Sequence, residues 1–349
     1  MCSRAWDQDL GSFRDGGRMT RVSAIICAHN PRPEHLRRVL DALRDQTLPN
    51  DQWELLLIDN ASRQPLASEW DLSWHPHARH VLEPELGLSA ARRRGMREAS
   101  ADILLFVDDD NVLAPDYLAE GLRVAAEWPQ MGTWGSGSLL PEYEVEPAER
   151  LRPLLYLLAI REVDAARWTN VFQIDACPWG AGIFLRRSVA DTYRHLSRDE
   201  GLPISDRKGA SLTSGGDVEL SYVACSAGLG IGIFPELKVT HLIPGERLAH
   251  DYLMRLHEGI AISTRLILYK WEKALPNSQS RLRRGLSIFK NFLVLRGVER
   301  EMYFSTVRAD RKSRNIIDAL PSADRSVHGV GGGAGAAGTR AGLESAGLL

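Results

Sequence analysis

The run ILLFVDDDN, residues 103–111, carries five apolar side chains straight into three consecutive aspartates. Three like charges at the end of what reads as a buried strand need solvent, a shifted pKa or a cation to offset their repulsion. Side chains alternate along an extended chain, so Asp108 and Asp110 are expected to share a face with Asp109 turned away. At about 3.3 Å per residue their carboxylates start roughly 6 to 7 Å apart, which suits a hard divalent ion that also holds phosphate oxygens. A solvated strand end with an aspartate N-cap accounts for the same run, and these residues alone leave both readings open. Two further carboxylates stand beside strand ends or glycines: Asp59, closing WELLLID, and Asp217, in GGDVELS. Ligands of open parallel sheets bind outside the carboxyl ends of the strands, so Asp59 is expected to converge with Asp108 and Asp110.

Positioning those groups requires a sheet, and the hydrophobic pattern supplies one. Val22 to Ala28 reads as a buried strand, and PRPEHLRRVLDALRDQT puts Leu36, Val39, Leu40 and Leu43 on one helical face with Pro33 in its first turn. WELLLIDNAS repeats the pattern, a weaker strand covers residues 80–82, and GLSAARRRGMREAS forms a helix leading to the aspartate strand. This alternation predicts an α/β domain with parallel pairing. Further on, the sequence predicts a helix at YLAEGLRVAAEW, a Gly-rich stretch GTWGSGSLLP, and a helix entered at Ser188 with Asp191 completing a capping-box pattern. A helix over GGDVELSYVACSAGLG closes at Gly228, and two short strands, IGIF and LKVTHLIP, follow. The expected domain spans residues 21–248, with a basic helical extension over 249–320. Residues 1–20 and the Gly/Ala-rich tail 321–349 are expected to be disordered.

Composition narrows the function classes. A net charge of −2 makes no demand for a nucleic acid partner, and 44% apolar with 25% charged residues is ordinary for a globular chain. Cys2, Cys27, Cys177 and Cys225 lack paired spacing, which argues against a zinc site and fits reduced thiols in a cytoplasmic protein. No apolar stretch has the length of a membrane span, and the N-terminus lacks a signal peptide's apolar region. GAGAAG at 333–338 formally matches a dinucleotide-binding pattern, but no strand pattern precedes it, and GLGIG at 228–232 is better explained as a helix stop and turn.

VSAIICAHNPRPEHLRRVLDALRDQ, WELLLIDNAS, GLSAARRRGM, ILLFVDDDN, WGAGIFLRR and GGDVELSYVACSAG occur in an order and spacing that resembles family 2 glycosyltransferases. The resemblance covers roughly residues 21–245. It implies the GT-A fold, a Rossmann-like mixed, mainly parallel sheet flanked by helices, and inverting transfer of sugar from a nucleotide-diphosphosugar, usually UDP-linked. By that resemblance Ala28, His29 and Asn30 lie along the nucleotide base and Asp59 hydrogen-bonds it, the reading preferred here over an Asx turn opening NAS. Arg92 aligns with an arginine of the family's motif and either pairs with the diphosphate or solvates a helix alongside Arg93 and Arg94. Asp108, Asp109 and Asp110 match the DXD motif, with Asp110 as ligand to Mn²⁺ or Mg²⁺ and Asp108 touching the ribose or the same ion. Asp217 occupies the catalytic-base position, with Glu219 in reserve. Gly216 departs from the pattern, because a glutamate often stands there. His241 matches a histidine that approaches the metal in some relatives. Trp179, Gly180, Ala181 and Gly182 match a loop near donor sugar and acceptor.

The implied partners are a nucleotide-sugar and a saccharide or lipid-linked acceptor, in polysaccharide or glycolipid assembly. The sequence leaves the oligomeric state open. Residues 280–300 read as a basic amphipathic helix able to touch a membrane peripherally, or as an ordinary packed helix. A sugar nucleotidyltransferase is the rival enzyme class, but CAHNPRPEH lacks its Gly-rich triphosphate loop. A non-catalytic sugar-nucleotide binder is the third reading, opposed by the retained Asp108, Asp110 and Asp217.

Overall fold

A computed structural model of the chain describes residues 20–196, 215–273 and 281–320, and the side chains of Leu196 and of residues 281–284 lie outside that description. The expectations of disorder for residues 1–19 and 321–349, and the pattern at 333–338, fall outside the described residues.

The first half alternates as its periodicity requires: β1 (Val22–Ala28), α1 (Pro33–Arg44), β2 (Trp53–Asp59), the single turn α2 (Leu66–Glu69), β3 (Ala78–Leu82), α3 (Leu88–Glu98), β4 (Ile103–Asp108), β5 (Asn111–Leu113) and α4 (Tyr117–Glu127). The second half adds β6 (Met131–Tyr143), β7 (Arg161–Glu162), β8 (Arg167–Thr169), β9 (Ile183–Arg186), α5 (Arg187–Leu196), α6 (Gly216–Ser226) and β10 (Gly230–Ile243). Three helices close the described chain: α7 (His250–Glu272), α8 (Arg281–Val294) and α9 (Gly297–Asp318). Strand order in the sheet is β3-β2-β1-β4-β9-β6-β10-β5, with β7 on β6 and β8 on β10. Pairing is parallel from β3 to β4 and between β6 and β10, and antiparallel at β9, β5, β7 and β8.

Helix α1 begins with Pro33 in its first turn and buries Leu36, Val39, Leu40 and Leu43 against one side of the sheet. Each such aliphatic side chain contributes about 1.5–3 kcal/mol when fully buried. Ile25, Leu56, Ile58, Leu104 and Phe106 face the opposite side, where they meet Ala91 and Met96 of α3 and Val189 of α5. Polar groups inside this frame are paired. The Glu54 carboxylate accepts from Ser23 Oγ at 2.7 Å and from the Ser100 amide at 2.6 Å, tying β1, β2 and the entry to β4 together.

Three local expectations differ from the structure. GTWGSGSLLP is the body of β6, because its Thr133 and Trp134 pack in the sheet interior beside β9 while its glycines admit close neighbours. IGIF and LKVTHLIP are one strand, β10, interrupted by a register shift between Phe234 and Lys238. Ser188 lies within α5 rather than capping it, and Asp191 pairs with Arg194 at 3.2 Å.

A buried histidine gives the domain a pH signature. His75 stacks on Trp53 with ring centroids 4.0 Å apart, and Nε2 has no hydrogen-bond partner among the described residues. Burial, with a smaller push from His77, lowers its pKa from 6.5 to about 4. The folded chain therefore binds fewer protons than the unfolded chain between those values, so stability falls as pH drops through that window, by at most about 3 kcal/mol. Urea unfolding at pH 7 and pH 5 measures this loss, and His75→Gln is expected to reduce the difference between the two midpoints. An unchanged difference in the variant assigns the acid sensitivity elsewhere.

Candidate active site

Parallel register creates the site. Ala28 pairs with Asp59 and Cys27 with Asp108, so the carboxyl ends of β1, β2 and β4 lie in one row. A cleft of about 890 Å³ opens at that edge, and its lining includes Ala28, His29, Asn60, Arg92, all three aspartates 108–110, Trp179, Asp217, His241 and Arg247. Asp109 is not turned away from this cleft, because β4 ends at Asp108 and the chain turns over the next two residues. Strand alternation does not survive a turn.

Beyond the turn, β5 runs antiparallel to β10 and sets Asn111 opposite His241, with the Leu242 amide donating to the Asp110 carbonyl at 2.9 Å. The His241 side chain is thereby held against Asp110, with Nε2 3.6 Å from Oδ2. Its Nδ1–H donates to the Leu158 carbonyl at 3.0 Å, which leaves the lone pair of a neutral ring on Nε2, facing Asp110. Arg247, on the turn after β10, donates to Asp110 Oδ2 at 2.7 Å and lies 3.4 Å from His241 Nε2. Burial alone lowers the pKa of this guanidinium, but Asp110 and the neighbouring Tyr252 and Asp109 outweigh it and the net shift is upward. Asn111 Nδ2 donates to the other Asp110 oxygen.

The opposite wall is built from α6 and the loop before β9. Asp217 stands in the first turn of α6, where Oδ1 accepts from the Val218 amide at 2.8 Å and Oδ2 from the Gly180 amide at 2.9 Å. Both donors and the helix N-terminus favour the ionised carboxylate. A Cβ on Gly180 would fall 2.5 Å from Arg92 Nη2 and 3.8 Å from Asp217 Oδ2, so Gly180 permits a close approach that a side chain would block. Buried Arg92 also lies 3.9 Å from Asp108, and this cation spans the gap between the aspartate turn and the Asp217 wall. Trp179 lines the cleft with the Arg161 guanidinium 3.6 Å above its ring. Burial lowers the Arg161 pKa to about 10, which leaves it charged at neutral pH. Gly182, with φ 77°, lies behind the loop, and its carbonyl accepts from the Tyr117 hydroxyl.

Other anticipated residues serve the frame. Both Asp59 oxygens accept backbone amides, from Ser62 at 2.9 Å and Leu66 at 3.0 Å, so this carboxylate holds the loop after β2 and does not line the cleft. Its neighbour Asn60 does, and it ties two loops together by donating to the Glu85 carbonyl at 2.7 Å and accepting from the Gly87 amide at 2.8 Å. Asn30, with φ 47°, donates to His29 Nε2 at 2.8 Å, while His29 Nδ1 donates to the Asn60 carbonyl at 2.7 Å, so Asn30 orients the cleft histidine from outside. Glu219 is buried in a 2.7 Å ion pair with Lys270 of α7 and takes no part in the lining.

Sequence reasoning missed Arg247, Arg161, Asn60 and an apolar wall formed by Tyr156, Leu157, Ile160, Leu256, Ile260 and Ile267. Asn60 carried a signal, since it follows a strand-end aspartate. Arg161 stands on the two-residue strand β7 and the others on short helical turns, irregular chain or α7, with no spacing that links them to the motifs.

Among the described residues, no group of three or more His, Cys, Asp or Glu side chains is arranged to hold a metal ion. The donors that do converge, Asp110 Oδ2 and His241 Nε2, form an oxygen-plus-imidazole pair with a guanidinium now against both. An oxygen-plus-imidazole set is chemically compatible with a divalent ion, although Arg247 holds Asp110 Oδ2 at 2.7 Å.

Residues 23–158 match the family described as Glycosyl transferase family 2. The putative glycosyltransferase EpsH of Bacillus subtilis is 24% identical over 166 residues, covering 44% of this chain and 46% of that protein. The amylovoran biosynthesis glycosyltransferase AmsE of Erwinia amylovora is 26% identical over 137 residues, covering 38% of this chain and 50% of that protein. The matched region thus spans no more than half of either relative. Among solved structures, S. aureus TarS 1–349 in complex with UDP-GlcNAc superposes with a TM-score of 0.47 at 13% identity, covering 87% of this chain and 82% of that one.

Proposed function

We propose, from the match of residues 23–158 to glycosyl transferase family 2, that this chain transfers a sugar from a nucleotide-diphosphosugar to an acceptor hydroxyl with inversion at the anomeric carbon. The observation that carries the reading is that Asp108, Asp110 and Asp217, from distant parts of the chain, line one cleft with Arg92 between them. Ala28, His29 and Asn60 receive the nucleotide base, on a loop whose shape Asp59 fixes. Arg92 and Arg247 offer guanidinium groups to the diphosphate. Asp110 and His241 would hold Mn²⁺ or Mg²⁺, which would supply charge neutralisation for the departing diphosphate. Asp217 Oδ2 accepts the proton of the attacking hydroxyl, held for that task by the Gly180 amide. Trp179 and the Gly180–Ala181 backbone border the sugar and the acceptor.

The donor we expect is UDP-linked, and AmsE's role in amylovoran biosynthesis supports a setting in polysaccharide or glycolipid assembly. Incubation with a panel of nucleotide-sugars and Mn²⁺ tests the reaction class. Release of nucleoside diphosphate is the expected result, with NMR of the product giving an anomeric configuration opposite to the donor's. Release of pyrophosphate assigns nucleotidyl transfer instead, and saturable binding without turnover assigns a binding module.

A further inference from the structure

Among the described residues, helix α8 leaves an apolar face without cover. Leu286, Phe289, Phe292, Leu293 and Val294 are all more than half exposed, whereas the other exposed large apolar residues are scattered over the described chain. Leu286, Phe289 and Leu293 follow the i, i+3, i+7 spacing of one stripe. No α8 side chain enters the hydrophobic clusters of the described residues. The helix is held to α9 beside this stripe, where the partly exposed Phe292 meets Phe304 edge-on, Arg300 lies 5.6 Å above the Phe292 ring, and Ser287 reaches the Tyr303 hydroxyl at 3.3 Å. Among the described residues, packing on the catalytic domain does not cover this stripe.

Charge selects the occupant. Residues 281–298 contain Arg281, Arg283, Arg284, Lys290 and Arg296 and no acidic residue, in a chain whose net charge is −2. The cationic character is thus local to the helix that bears the bare apolar stripe. A second copy of this face would bring two cationic helices together, and like-charge juxtaposition opposes that pairing. An anionic lipid surface satisfies both features at once, taking the apolar stripe into the acyl boundary and the cations into the headgroups. Among the described residues no helix is long and apolar enough to cross a membrane, so the contact is one of lying on the surface. We propose that the Leu286–Phe289–Leu293 face of α8 docks this chain on an anionic lipid bilayer.

The full chain is tested by co-sedimentation with vesicles of phosphatidylcholine alone and with roughly one-third phosphatidylglycerol added. Binding is expected only to the anionic vesicles, weakening as salt is raised. Leu286→Glu with Phe289→Glu, both at exposed positions, is expected to lower that affinity about tenfold or more while circular dichroism stays unchanged. Lys290→Glu, which leaves the stripe intact, is expected to lower it several-fold. Absence of binding to anionic vesicles overturns the proposal, as does binding that the double variant leaves intact. A homodimer in light scattering that the double variant dissociates also overturns it, and assigns the face to a second copy. None of these readouts depends on sugar transfer.

Discussion

Replacing Asp110 with asparagine is expected to remove metal-stimulated turnover while the protein remains folded. This side chain has the shape of the original, so the loss is one of charge at a buried position. The Asp110 carboxylate is the group on which Arg247 and His241 converge, at 2.7 Å and 3.6 Å. A divalent ion at a departing diphosphate contributes several kcal/mol, which corresponds to a fall of about 10³-fold in kcat/KM. The substitution also leaves Arg247 without its carboxylate partner, and since that arginine reaches solvent the stability cost is about 1–2 kcal/mol, less than for a fully buried pair. Two measurements separate these effects. Calorimetric titration with Mn²⁺ in the presence of UDP reports the ion directly, and thermal melting reports the fold. If the variant binds Mn²⁺ as tightly as the unmodified chain, the assignment of Asp110 to the metal is wrong.

Replacing Asp217 with asparagine is expected to separate binding from transfer. The amide cannot accept a proton from the acceptor hydroxyl, and loss of a general base costs about 10²–10⁴-fold in kcat. Donor binding is expected to survive, because the proposed diphosphate contacts, Arg92 between the two walls and Arg247 beside Asp110, are left in place. The substitution has a local consequence as well. The Gly180 amide donates to Oδ2 at 2.9 Å, and an asparagine oriented with its oxygen toward Gly180 preserves that bond at the expense of the one from the Val218 amide to Oδ1. The loop position is thus retained and the chemistry is not. Nucleotide-sugar affinity by calorimetry, set beside single-turnover product formation, gives the two readouts. Transfer at the unmodified rate would remove Asp217 from the base role and turn attention to another group in the cleft, whereas loss of donor affinity would recast it as a positioning residue.

The amino-acid pattern alone determined the α/β alternation, because fully buried strands must be apolar along their length and α1 must repeat its apolar stripe every three to four residues. It also determined which strand ends carry acid. Parallel register then left little freedom, since Ala28, Asp59 and Asp108 all end strands that pair side by side. Asp110, Asp217 and Arg92 were singled out by the family resemblance of the short motifs that carry them, not by spacing alone.

Tertiary structure alone decided the rest. Asp59 and Asn60 are neighbours in sequence, yet backbone amides consume the first while the second reaches the cleft. Asp109 joined the lining because a turn cut the strand short of the alternation rule. Arg247 met Asp110 because β5 pairs antiparallel with β10, a contact between residues 137 positions apart. Local spacing encodes which face a side chain takes on its own element, but the partner across a cleft is set by pairing between distant strands, and no short-range pattern carries that information.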